Sequence, residues 1–397
     1  MPSVIENVNN LEEIVQTISM ARNEPESVRQ MRINALKDLQ QYPIPDRVSH
    51  VWKYSDPLGF EIGQRNISLT TDKCLQYEGE PDYYHPLDLG EHFQKNLYGK
   101  LITPSRLTCI NDAFYKGFFI RIPSGTKQKT LRYKFHSQAL NAYECVRGLI
   151  LVEQGSDVNI IGEFTANDAD AQCINAVIEI VLENDVSLNY LSLHTQGSQA
   201  IQHLYQRTKV GKNSNFTNLI IGLGGKLSKC DLGVKLAETN SATSIHGIVL
   251  GDALQRFDHH TRIHHLAPHT KSELDFRVAL KDKARSAYTG NLKISHEAIK
   301  SDAHQENRNL LLSEDAKAES IPELEILTND VIRCNHGVTV GRVDKSQIYY
   351  LMSRGLTEKE AERLIIEGFL EPTISKIPDE NLKKEVEDRI NAKLQIL

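Results

Sequence analysis

The 397-residue chain lacks paired cysteine motifs, long apolar runs and surplus basic charge, and each absence removes a class of function. Its six cysteines (Cys74, Cys109, Cys145, Cys173, Cys230 and Cys334) are far apart, and no C-x-x-C pair occurs. A disulfide framework or a closed zinc knuckle needs tighter clustering, so free thiols in a reducing compartment are expected. No apolar stretch approaches the roughly 20 residues that span a bilayer, so no membrane association is expected. The opening MPSVIENVNNLEEIV has neither the basic start nor the apolar core of a signal peptide, and is too acidic for a transit peptide. A soluble cytoplasmic protein is expected. The formal net charge of −6 argues against nucleic acid as the main partner, because phosphate binding needs a basic surface.

What the chain does have is rhythm. From about residue 146, β-rich runs such as GLILVEQ, SDVNIIGEF, VIEIVL, VSLNYLSLHT and TNLIIGL follow one another, separated by turn clusters. The clusters centre near Gly155, Asn184, Lys212, Asn240 and Thr270, and in parallel near Gly197, Gly224, Asp252 and Asp282. Every second marker recurs at a step of about 28 residues. A constant strand–turn–strand–turn period is the trace of a solenoid, in which no coil buries its own apolar face but stacked coils do. A mainly β fold is expected, a right-handed parallel β-helix in preference to a sandwich.

Helical patterns stand at both ends. In LEEIVQTISMA, Leu11, Ile14, Val15 and Ile18 recur at helical spacing, as do Val28, Met31, Ile33 and Leu36 before Pro43 and Pro45 stop the helix. Toward the other end, QIYYLMSR stops at Gly355, and Thr357 with Glu360 forms a capping box for the next helix. Val386, Ile390 and Leu394 mark a last helix after Pro378. The expected divisions are an N-terminal helical region (1–50), an irregular segment leading into the solenoid (51–145), a β-helix core (146–335) and a C-terminal helical region (336–397). The helices are expected as caps over the ends of the stack.

Two stretches compete as sites. DHHTRIHHLAPH (258–269) holds five of the fifteen histidines. On a strand, Phe257, Ile263 and Ala267 set the inward face and carry His259 and His265 with them, while His260, Arg262 and His264 face out. Histidines sharing a face then lie roughly 13–20 Å apart at ~3.3 Å per residue, too far for one zinc with ligands at ~2 Å. Thr261, Ile263 and Pro268 disfavour the helix that would bring them together. A hydrogen-bonded strand wall is the expectation, and a stand-alone histidine metalloprotein the alternative.

The other stretch is RCNHGVTVG (333–341), where Cys334 and His336 stand two apart on extended backbone and project the same way. A thiolate beside an imidazole can hold iron or zinc, or can activate sulfur. Two donors are too few for an iron–sulfur cluster, so any cluster here needs ligands from a second chain or from outside the protein. GLGGK (222–226) is not a phosphate loop, because Leu227 follows Lys226 where that motif needs Ser or Thr. No nucleotide is expected on this chain.

The run NLLLSEDAKAESIPELEILTNDVIRCNHGVTVGRVDKSQIYYLMSRGLTEKEAERLIIEGF (309–369) resembles the C-terminal signature of the SufB/SufD family of iron–sulfur cluster assembly scaffolds. LGGKLSKCDLGVKLAETNSATSIHGIVLGD (223–252) and HHTRIHHLAPHTKSELDFRVALKDKARSAYTG (259–290) are similar to that family's core, and VWKYSD (51–56) to its short aromatic motif. The C-x-H-G-x-T-x-G pattern resembles the SufD type more than SufB, and the departures at Asn329 and Val338 leave the Cys/His pair intact.

The resemblance implies a flattened right-handed β-helix. It also implies pairing through the β-helix ends with a SufB-like paralogue or a second copy of the chain, and docking of a SufC-like ABC ATPase on the C-terminal helices. It implies a non-enzymatic scaffold, with ATP hydrolysed by the SufC partner. A transient iron–sulfur cluster would be shared with SufB at the interface, where His336 and Cys334 would lie. Tyr349, Tyr350, Leu351, Leu364 and Phe369 are the candidates for the SufC surface. The competing function is a β-helix enzyme acting on carbohydrate, against which stand the missing secretion signal and the lack of a legible aromatic, acidic groove.

Overall fold

The computed structural model describes residues 8–67, 74–87, 92–137, 140–168, 171–377 and 379–396. Helices α1 (Val8–Ala21) and α2 (Glu26–Leu39) come first, followed by short strands β1 (Asn66–Ile67), β2 (Leu75–Glu78) and β3 (Tyr84–Pro86). Helices α3 (His92–Leu97) and α4 (Arg106–Phe114) lead into the coils. From there strands alternate between two sheets. Sheet A takes β4 (Lys116–Ile122), β6 (Ala142–Val152), β8 (Cys173–Leu182), β10 (Ile201–Val210), β12 (Leu227–Leu236), β14 (Arg256–His265), β16 (Arg285–Ile294) and β18 (Lys317–Ile326). Sheet B takes β5 (Lys127–Ser137), β7 (Asp157–Ala166), β9 (Ser187–Thr195), β11 (Asn215–Gly222), β13 (Ala242–Gly251), β15 (Lys271–Leu280), β17 (Ser301–Leu311) and β19 (Val331–Arg342). Helices α5 (Lys345–Ser353), α6 (Glu358–Ile374) and α7 (Glu380–Ile396) follow.

The fold is a mainly β parallel solenoid, and its register explains the sequence period. Ile201 lies between Cys173 on one side and Leu227 on the other, and Leu227 in turn pairs with Arg256. Tight turns close each coil, and one residue in each adopts a left-handed conformation: Gly155, Asp185, Asn213, Asn240 and His269 have φ between 55° and 74°. Glycine, asparagine and aspartate tolerate that region best, which is why turn markers recur in the sequence. Between the sheets the inward side chains form one column of buried Ile, Leu, Val and Phe, among them Ile150, Ile180, Phe216, Leu232 and Phe276. Burying each such side chain contributes about 1.5–3 kcal/mol.

Helices flank the chain's two ends as expected, but they lie on the faces of the stack. The N-terminal helices pack Leu36, Ile110 and Phe114 on sheet A against Tyr143, Cys145 and Cys173. Helices α6 and α7 pack Ile366, Leu370, Val386 and Ile390 on sheet B against Leu191, Leu219, Ile221 and Ile248. The cause is the strands themselves: those outward positions of sheet B are apolar and need cover from water. The capping box of Thr357 with Glu360 is present, and Gly355 has φ 101° at the end of α5. Strands β4 and β5 lie upstream of residue 146, where the charged alternation of KQKTLRYKFHS hid them, and β19 runs past residue 335.

The two ends of the stack differ. At the first coil, β3 pairs antiparallel with β4 and β2 antiparallel with β5, so short strands occupy both edges. At the last coil, β18 pairs with β16 alone and β19 with β17 alone among the described residues. That end is open.

Gly247 in β13 faces inward beneath Phe276, and an added Cβ would stand 2.3 Å from two of its ring carbons. Gly247→Ala is expected to cost about 1–3 kcal/mol by overpacking, lowering the urea midpoint. Gly341→Ala, which meets nothing within 4 Å, should leave the midpoint unchanged or slightly raised. Equal midpoints for the two variants would contradict the inward packing of β13.

Candidate functional site

The histidine-rich stretch lands on β14, in the interior of sheet A. Phe257, His259, Thr261, Ile263 and His265 are buried on the inward face. His265 is held by two hydroxyls, with Nδ1 2.7 Å from Thr270 Oγ1 and Nε2 2.8 Å from Ser272 Oγ. His259 lies among aromatic rings, 6.4 Å from Phe257 and 5.5 Å from Phe276. On the outward face, His260 Nε2 is 2.9 Å from Asp258 Oδ1, and His264 Nε2 is 2.8 Å from Ser295 Oγ. His269 sits in the following turn with φ 60°. Each imidazole has its own surroundings, and among the described residues no three His, Cys, Asp or Glu side chains come together to hold a metal ion.

Sequence reasoning missed what covers the outward side of this wall. Asp258 and His260 are buried, because the VWKYSD segment lies across them as a strap. Ser55 Oγ donates to Asp258 Oδ2 at 2.5 Å, and Lys229 Nζ reaches the same oxygen at 2.8 Å and the Val51 carbonyl at 2.5 Å. The Lys229 ammonium also lies 4.8 Å from the Trp52 ring centroid, and Trp52 stacks on His203 at 6.4 Å. Burial alone would raise the Asp258 carboxyl, but its bond to His260 and the Lys229 charge outweigh that and hold it well below the usual carboxylate range. The signal was present: Lys229 and Asp258 occupy paired positions of β12 and β14.

The second stretch forms β19, the last strand of sheet B. Cys334 pairs with Ala303, His336 with Gln305 and Val338 with Asn307, whose side chains are buried on the inward face. Cys334 and His336 therefore point the same way, between the sheets. Among the described residues no further coil closes that space. Cys334 is half-buried against Leu292, Ile294 and Ala298, and His336 is exposed. Burial pushes the Cys334 thiol above its ordinary value, so it rests protonated. Across the opening, β18 presents exposed Leu324 and Ile326 at the positions paired with inward Leu292 and Ile294. Ile332 is 67 % exposed, and Val338 and Val340 are exposed further along the same strand.

The helical candidates divide. No residue of α5 is buried, and Tyr349, Tyr350 and Met352 stand exposed, with Leu364 of α6 exposed as well. Leu351 is half-buried. Phe369 instead packs toward sheet B, its carbonyl accepting from Arg277 at 2.6 Å and its ring 5.6 Å from that guanidinium.

Residues 135–369 match the family model described as SUF system FeS cluster assembly, SufBD core domain. The chain is 29 % identical over 386 residues to the iron–sulfur cluster assembly protein SufD of Bacillus subtilis, an alignment covering 94 % of this chain and 85 % of that protein. It is 25 % identical over 418 residues to an iron–sulfur cluster assembly SufBD family protein of Staphylococcus saprophyticus, covering 93 % and 90 % respectively. A SufBD family protein of Staphylococcus haemolyticus matches at the same identity and coverage.

Burial pushes five imidazoles below their ordinary range: His194, His246 and His265 to about 4, and His203 and His259 to about 3. In the unfolded chain they protonate near pH ~6.5. Between those values the unfolded state binds more protons, so stability that is full above about pH 6.5 is lost as the pH falls toward 4. Each imidazole accounts for at most about 2 kcal/mol of loss by about pH 5. The urea midpoint of the isolated protein, followed by circular dichroism, is therefore expected to drop between about pH 7 and about pH 5. A flat midpoint would show that these imidazoles are not buried neutral.

Proposed function

The chain belongs to the SufBD family of iron–sulfur cluster assembly proteins, and from that premise we propose that it is the SufD-type subunit of a scaffold pair. It completes a nascent-cluster site with a SufB-like partner across the open end of its solenoid. The observation that carries this reading is the last coil. Edge strands with unpaired backbone groups invite pairing with another chain. The exposed Leu324, Ile326 and Ile332 beside them are the kind of surface an interface buries.

Cys334 and His336 face this opening as half of a ligand set, and the partner supplies the remainder. The burial-raised thiol fits that division of labour: it gives up its proton only when a cation arrives. Iron and sulfide are cargo here, and the chain acts by ligation and positioning, not as a catalyst. The apolar surface of Tyr349, Tyr350 and Leu364, with Leu351 at its edge, receives a SufC-like ABC ATPase, to which ATP hydrolysis belongs. Phe369 serves this surface indirectly, by seating α6 on sheet B. The working compartment is the cytoplasm. A homodimer is the variant of this reading in which a second copy fills the partner's place.

In the complex co-expressed anaerobically with a SufB-like paralogue and an ABC ATPase, His336→Ala is expected to lower bound iron and sulfide by roughly tenfold. Its thermal midpoint should not change, because the side chain is exposed. Unchanged iron and sulfide would overturn the assignment of His336. Ile332→Asp is expected to weaken the pairing by about tenfold or more, read by size-exclusion chromatography across a dilution series. Undiminished pairing would place the interface elsewhere.

A further inference from the structure

The outer face of sheet A carries basic residues stacked by the register. Lys209, Lys235, His264 and Lys293 occupy one row across four successive coils, and Arg207, Gly233 and Arg262 occupy the row beside it. Neighbouring strands lie ~4.8 Å apart, and like charges directly opposite one another are destabilising. Counter-charge is unevenly placed along these rows. Glu325 takes Lys293 at 2.7 Å, and Asp231 takes Arg207 at 3.0 Å and Arg262 at 3.5 Å. Lys209 and Lys235 have no ion pair among the described residues. Burial, then the charges of Lys293 and Lys235, push the His264 imidazole below its ordinary value, which shows how crowded the row is. The arginine row also holds Glu179 opposite Arg207, and Glu323, so five permanent cations stand beside four carboxylates, of which Glu179 is taken by Arg147 at 2.6 Å and Glu323 lies 3.7 Å from His50.

The patch is also built. A Cβ at Gly233 would stand 2.7 Å from Arg207 Cδ and 2.9 Å from its Nε. The missing side chain lets the nearly buried guanidinium lie across β12, 3.6 Å from the Tyr205 ring centroid and beside Asp231. A cavity of about 310 Å³ opens here, between the sheet, the segment 45–52 and the start of α4 with the residues before it (103–107), with Arg207, Asp231 and Arg262 in its wall. That volume suits a small ligand.

We propose that this cleft and the lysine row beside it bind a small polyanion, a molecule bearing two or more phosphate or carboxylate groups. One anionic group sits between Arg207 and Arg262, whose planar guanidiniums suit paired oxygens, with Asp231 fixing their spacing. The second lies on Lys235 and Lys209, one row further along the strands. The site is on the outer face of sheet A, away from the inner face of the last coil, and stands independently of the cluster-site reading.

Calorimetric titration of the full chain with inorganic pyrophosphate, and separately with citrate, tests it. Saturable one-to-one binding of at least one of them, tighter than that of inorganic phosphate, is expected. Whichever binds more tightly tells phosphate from carboxylate. Arg262→Ala and Lys235→Ala, both at exposed positions, should each weaken it roughly tenfold. Lys300→Ala, whose partner is Asp330 in a distant turn, should not. Absence of saturable binding, binding indifferent to both substitutions, or tighter binding of an oligoglutamate peptide than of either probe would overturn the proposal.

Discussion

Each coil of this chain completes its backbone hydrogen bonds only with the coil before it and the coil after it. Everything else follows from that constraint. A residue's decisive neighbours are not its sequence neighbours but the residues at the same position one coil away, as Lys229 is to Asp258 and Arg207 to Gly233. The columns so formed decide where apolar surface accumulates, where charge accumulates, and where stacking must stop. Stopping is the difficult step, because a parallel stack has two edges wherever it ends. The first coil meets it with short antiparallel strands, and Pro86 in β3 cannot donate to a further neighbour. The last coil has no such strands among the described residues.

The columns also explain the placement of the helices and the strap. Outward columns of sheet B are apolar from Leu191 through Ile248, so α6 and α7 cover them. Outward positions of sheet A carry charge from Arg147 on β6 and Glu179 on β8 onward, and a charge is covered only where it is paired. The strap covers only the part where charges are matched, over Lys229 and Asp258 with Ser55 completing the set. Taking that pair out of water costs several kcal/mol per ion, and only near-complete hydrogen bonding offsets it. Where charges are unmatched, at Lys209 and Lys235, the face remains open to solvent.

The solenoid was legible because turns demand special residues at fixed intervals: Asn213 and Asn240 occupy successive left-handed positions and read as punctuation. The inward and outward sets of β14 were legible from alternation alone. The first coil was not, since β5 carries Lys127, Lys129 and Lys134 among its apolar residues and reads as loop. Nor was the position of the helices, because an amphipathic stripe says that a face is buried and not against what. The strap escaped for a related reason. Its contacts join Ser55 to Asp258 and Val51 to Lys229, far apart in sequence, and no local pattern announces them. Two halves of the Cys334 argument were legible: the shared direction of the two side chains, and the shortage of donors. That their space is unroofed required knowing which strand comes last.

Position in the stack, rather than residue type, is what sets Cys334 and His336 apart. The core holds another thiol–imidazole couple, Cys230 and His259, paired across β12 and β14. There burial pushes the thiol to about 12 and the imidazole to about 3, so both are neutral through the physiological range. Closed in by the coils on either side, neither can lose a proton to a metal or meet a second protein. In the last coil Cys334 keeps a dry footing against Leu292 and Ile294, while His336 beside it is exposed at the opening. A thiol there is restrained but not sealed, and among the described residues no third His, Cys, Asp or Glu joins the pair. On the proposed reading, what completes the set comes from outside, toward the unpaired edges of β18 and β19.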